Sequence, residues 1–162
     1  MTNRKLNFLD ILQYCCPDAY ADIHGNDEYP CLHGKAYFHH TIYGGTLIEV
    51  EVNNLPLLSK QSPDAFYGMH IHENGDCTSP FDKTGNHYNP YGALHPMHLG
   101  DMPVLLGNNG YAYSVFYTER YDVEDIMGRS IVIHLLPDDF ITQPSGNSGE
   151  KIGCGVIKKC CR

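Results

Sequence analysis

Tryptophan is absent from this 162-residue chain, and basic residues are scarce: 11 Lys and Arg stand against 19 Asp and Glu, for a formal net charge of −8. With so little positive charge and no Lys/Arg-rich stripe, the chain is not expected to bind nucleic acid by neutralising phosphates. Long apolar runs are missing too. In the N-terminal MTNRKLNFLDILQYCCPDAY, Asp10 and Gln13 interrupt the one short apolar stretch, and no small-residue cleavage pattern follows. No membrane span and no secretory signal are read there, which favours the cytoplasm. Helical segments of 10–15 residues between strands are also absent. That argues against alternating β and α units and for an antiparallel architecture.

What is present is strand patterning. Residues 19–25, 35–40, 45–53, 65–72, 110–117, 129–135 and 151–157 read as strands. In GGTLIEVEV apolar and acidic residues alternate as on a half-buried strand, although Leu47 falls on the face of Glu49 and Glu51. Two long polar loops, 73–110 and 137–150, separate the later strands. Loops of this length either carry function or are tied down. The expected fold class is all-β, an antiparallel barrel or flattened sandwich. Its divisions are an N-terminal extension at 1–17 with a short helix before Pro17, a domain at 18–157, and a tail at 158–162.

Ten histidines are the unusual feature of the composition, and most lie between His70 and His134. In GMHIHE, His70 and His72 are two apart on a strand, so both rings face one side and can reach one ion. The stretch HYNPYGALHPMHLGD places His87, His95, His98 and Asp101 within fifteen residues. Three imidazoles and one carboxylate suit a four-coordinate Zn(II) site. SIVIH ends on His134, whose value depends on meeting His70 and His72 in space. His24, His33, His39 and His40 join no such pattern; His39 and His40, being adjacent on a strand, point to opposite faces.

Four stretches, GMHIHENGDCTS, GNHYNPYGALHPMHLGDM, GRSIVIHLLPDD and SGNSGEKIGCGVI, resemble the copper/zinc superoxide dismutase family, in the family's order, over roughly residues 19–157. The resemblance implies a Greek-key barrel whose two long loops form the metal face. It implies copper on His70, His72, His87 and His134, and zinc on His87, His95, His98 and Asp101, with His87 bridging the two ions. Asp138 corresponds to a carboxylate that orients His70 and His95, and Arg129 to a loop anchor. Cys77 and Cys154 correspond to the family's disulfide. The implied activity is conversion of superoxide to oxygen and hydrogen peroxide. The main departure is Lys151, where the family carries an Arg beside the copper channel: the charge is kept, the planar fork is not. The 137–150 loop is also shorter than in many members, so no further steering charges carry over. A weakly active or inactive metal-binding protein is the alternative that these departures leave open.

Seven cysteines cannot all pair within one chain. Cys15–Cys16 and Cys160–Cys161 belong to no family motif; cross-links between termini or subunits, soft-metal binding and free thiols all fit the sequence, and Cys31 has no assigned role. A surface rich in the 12 Tyr is compatible with a homodimer.

Overall fold

Period-two patterning organises the chain into antiparallel strands. The computed structural model describes residues 7–57 and 64–160, so Cys161 lies outside the described residues. Strands β1 (Ala19–Gly25), β2 (His33–His40) and β3 (Thr46–Asn53) pair in succession, and β3 then pairs with β7 (Ala112–Thr118). On the other flank, β1 pairs with β9 (Lys151–Val156), β9 with β8 (Ser130–His134), and β8 with β5 (Met69–His72). The sheet order β5-β8-β9-β1-β2-β3-β7 curls as a Greek-key barrel, in which neighbours in space are distant in sequence. Two short strands complete the set: β4 (Asp64–Tyr67) pairs with β6 (Leu105–Asn108), and β10 (Lys158–Lys159) pairs with β1. Among the described residues no helix is long and apolar enough to cross a membrane.

Two strand expectations are corrected. Residues 65–72 are not one strand: β4 and β5 belong to different sheets and part at Gly68. There the backbone bonds to the end of β8 instead, with Gly68 N–H donating to Leu136 O at 2.8 Å and His134 N–H to Gly68 O at 2.8 Å. The 73–110 loop, in turn, contains β6. Strands β6 and β7 are joined through Asn109 and Gly110, both at positive φ (50° and 84°), as a two-residue hairpin turn of the primed type requires.

Ala36, Phe38, Ile48, Val50, Ile71, Ile131 and Ile133 fill the barrel interior. Leu47 is buried without joining that interior. It lies opposite Tyr117 on β7 and His39 on β2. Helix α1 (Phe8–Tyr14), started by a capping box between Asn7 and Asp10, lies over this outer face: Phe8 packs on Tyr117 at 5.0 Å between ring centroids, and Ile11 is buried. His39 is caught in the same layer, 3% exposed, with neither ring nitrogen hydrogen-bonded. A buried polar group without partners costs about 1–3 kcal/mol. His39→Leu is therefore expected to stabilise the fold by about 1–2 kcal/mol, read as a higher urea midpoint; a lower midpoint would mean that the imidazole makes a compensating contact.

Candidate metal centre

Strand β5 carries His70 and His72 on the sheet's outermost position, so its far edge is open to the long loop. The loop takes that edge. Ile71 N–H donates to Gly100 O at 2.9 Å and Tyr88 N–H to Ile71 O at 2.8 Å, and bridges pair His72 with His87 and His70 with Asp101. Two loop ligands are thus set beside two strand ligands by backbone pairing. The loop's start is fastened by Arg129, which donates to Glu73 O at 2.9 Å and lies 3.6 Å over the Tyr88 ring. A Cys77–Cys154 disulfide, Cα–Cα 5.6 Å, joins the loop to β9.

Two buried groups of side chains result, each with its ligand atoms within 4.8 Å of one another: His70, His72, His87 and His134, and His87, His95, His98 and Asp101. His87 belongs to both. Its Nδ1 lies 2.7 Å from Asp101 Oδ1, and its Nε2 is buried with no partner. His95 Nδ1 and His98 Nδ1 lie 3.1 and 3.4 Å from Asp101 oxygens.

Outer contacts fix which nitrogen of each ring is bare. Asp138 accepts from His70 Nε2 at 2.7 Å and from His95 Nε2 at 2.8 Å. Gly85 O accepts from His72 Nδ1 at 3.0 Å, and Gly149 O from His134 Nδ1 at 3.2 Å. Carbonyls and carboxylates only accept, so each of these ring nitrogens carries the proton and the opposite one a lone pair. The bare nitrogens of His72 and His134 then face each other at 3.2 Å, and those of His70 and His95 are buried without hydrogen bonds. Facing lone pairs repel unless a cation lies between them. Their spacing suits one: bonds of about 2.0–2.1 Å in a tetrahedral set put ligand atoms roughly 3.3 Å apart. The residues present therefore fit copper in the all-histidine group and zinc in the His/Asp group, which are the two ions this centre takes.

Burial pushes His70 down to about 4, against the opposing pull of Asp138, and His134 down to about 3. Burial, with His134 and His87 adding to it, holds His72 well below the ordinary histidine value. All three are neutral near pH 7, the state that ligates metal. In the unfolded chain they titrate near about 6.5, so below that pH the unfolded chain binds more protons than the folded one. Their stabilisation of the metal-free fold is complete above about pH 6.5 and is lost toward pH 4 and 3. The urea midpoint of metal-free protein is expected to fall between about pH 7.5 and about pH 5; a midpoint that held or rose would contradict these buried neutral rings.

The all-histidine side opens to a cleft of about 460 Å³ lined by His72, His87, His98, His134, Gln143 and Lys151. Lys151 Nζ donates to Thr84 Oγ1 at 2.8 Å, Gly85 O at 3.0 Å and Phe81 O at 3.4 Å. All three of its donors are thus directed into the 81–85 turn, while its charge remains at the cleft. The carbonyls of Gly85 and Gly149 escape sequence reading, because backbone acceptors leave no side-chain signature. Gly146 escapes it as well: at φ 69°, a Cβ there would collide with the Asp138 carboxylate, so only glycine lets the second loop pass over it. Cys15, Cys16 and Cys31 are exposed and lie outside both groups.

The family model described as copper/zinc superoxide dismutase matches residues 32–157. A superoxide dismutase [Cu-Zn] 2 of Aquifex aeolicus is 35% identical over 130 residues, covering 70% of this chain and 72% of that protein. A superoxide dismutase [Cu-Zn] of Deinococcus radiodurans is 36% identical over 137 residues, covering 70% and 71%. Among solved structures, a double mutant of a SOD-like protein from Bacillus subtilis superposes with a TM-score of 0.69 at 28% identity, over 84% of this chain and 94% of that one. With its barrel, its pair of buried ligand groups sharing one histidine, and a match across most of its length, the chain belongs to the copper/zinc superoxide dismutase family.

Proposed function

We propose that this chain disproportionates superoxide, 2 O2− + 2 H+ → O2 + H2O2, with His70, His72, His87 and His134 holding copper and His87, His95, His98 and Asp101 holding zinc. The observation that carries this reading is the pair of buried groups that share His87, one of four histidines and one with a carboxylate, beside a cleft that bears Lys151. Bound in these sets, copper supplies a one-electron couple and zinc a fixed charge without redox chemistry.

The residues do the rest. Lys151 draws the anion by charge rather than by offering a free donor, since its protons are spent on the 81–85 turn. Asp138 keeps His70 and His95 in their ligating tautomers. His87 Nε2, which has no competing hydrogen bond, is the nitrogen that would face copper; whenever it is not ligating, it is free to take a proton and pass it toward the product peroxide. The His/Asp set supplies four protein ligands, the full tetrahedral complement of zinc, so zinc-assisted hydrolysis is not supported. Steady-state dismutation by protein loaded with copper and zinc, set against protein loaded with zinc alone, tests the reading: activity is expected only with copper, and equal rates would favour a metal-binding role.

A further inference from the structure

Between β7 and the turn at Val123–Ile126, the guanidinium of Arg120 meets the zinc-side loop from outside. Its Nη1 donates to three main-chain oxygens: His98 O at 3.1 Å, Asp101 O at 3.2 Å and Pro96 O at 3.3 Å. Two of the three belong to residues of the His/Asp group, and neither of these belongs to the all-histidine group. Converging carbonyl oxygens repel one another, and one cation among them gathers the turn around itself. Arg120 is itself held to the barrel. Its N–H donates to Thr118 Oγ1 at 3.1 Å, and the hydroxyl of its neighbour Tyr121, buried, lies 3.5 Å from Met102 Sδ, next to Asp101.

His95, another loop residue of the group, is held differently. Gln143 grips the main chain of His95 at both ends: His95 N–H donates to Gln143 Oε1 at 3.0 Å, and Gln143 Nε2 donates to His95 O at 2.7 Å. The two clamps divide the 95–101 turn between them.

We propose that Arg120 is a positioning residue for the zinc side of the centre, setting His98 and Asp101 through their main-chain oxygens before any ion arrives; this rests on the zinc assignment made above. It neither touches the ion nor lines the all-histidine group. Its removal should therefore shorten zinc residence and leave copper binding alone. The Arg120 side chain is exposed, so truncating it opens no core cavity.

The test compares wild type, Arg120→Ala and the milder Arg120→Gln, each loaded with zinc, by the rate of zinc transfer to a chromogenic chelator. Copper(II) affinity and the melting temperature of the metal-free form are measured in parallel. Zinc release faster by about tenfold, the lower end of what outer contacts of metal ligands contribute, is expected in Arg120→Ala, with copper affinity and metal-free melting unchanged. Unchanged zinc release would overturn the inference. So would a joint fall in zinc affinity, copper affinity and melting temperature, which would make Arg120 a general fold residue. Asp101→Ala separates this inference from the reading beneath it: if that variant retains wild-type zinc affinity, the zinc assignment itself fails.

Discussion

Asp138→Asn is expected to lower copper affinity by roughly 10–100-fold, the usual consequence of losing a partner that orients a metal-bound histidine, and to spare zinc by comparison. The direction follows from what surrounds each carboxylate oxygen. Oδ1 accepts from Phe140 N–H at 2.7 Å as well as from His95 Nε2 at 2.8 Å, so the amide oxygen of Asn takes that place. The amide NH2 is then left at the position of Oδ2, facing His70 Nε2. A donor there forces the His70 proton onto Nδ1, the atom that must be bare to ligate. Asp138→Leu removes both acceptors and should weaken both ions. Competition with chelators of known affinity measures the two ions separately. Equal, small losses of both metals in Asp138→Asn would mean that the carboxylate does not set the tautomer of His70.

The second large effect is expected at Lys151. Lys151→Glu places a carboxylate against Phe81 O and Gly85 O, where an ammonium now donates. It also reverses the sign of the charge in the cleft. Dismutation should fall about tenfold or more at low ionic strength, within the range by which local fields change the capture of small ions. Added salt should slow the wild type by screening attraction, and should slow the Glu variant less or speed it up. Lys151→Arg should preserve or raise activity, because the charge is kept and a planar fork is added. Gly85 O accepts from both Lys151 and His72, so the copper content of each variant must accompany its rate. Equal rates and equal salt responses at full copper content would show that Lys151 does not guide the anion.

The residues of the two clusters were legible because histidine and aspartate in dense, ordered patches are rare in other contexts. The strand carrying His70 and His72 and the loop carrying His87 to Asp101 could be placed from residue types alone. How the two meet could not be placed in this way, because the loop reaches β5 through backbone bonds of Ile71, Tyr88 and Gly100. The same holds for the carbonyls of Gly85 and Gly149 that fix two tautomers. Strand β6 was missed although Asn109–Gly110 is a strong short-range hairpin signal, since a four-residue strand inside a polar loop offers little periodicity. The break at Gly68 was hidden for the opposite reason: apolar residues continue on both sides, and only the change of sheet shows that two strands are present. Leu47, on the face of two acidic residues, looked misplaced; it is buried beside Tyr117, on which Phe8 of α1 packs, a tertiary arrangement that strand patterning does not reveal.

The most direct measurement is the steady-state rate of superoxide disproportionation by wild type and His72→Ala, each with copper and zinc content determined in the same sample. In the proposed copper set His72 would ligate through Nε2, which faces His134 Nε2 at 3.2 Å, and His72 lines the Lys151 cleft. Copper-dependent activity is expected in wild type, with a loss of about 100-fold or more in His72→Ala, the scale on which removing one member of a concerted site acts. Equal activity in the two proteins, or none in fully metallated wild type, would contradict the assignment of this site as a superoxide dismutase centre.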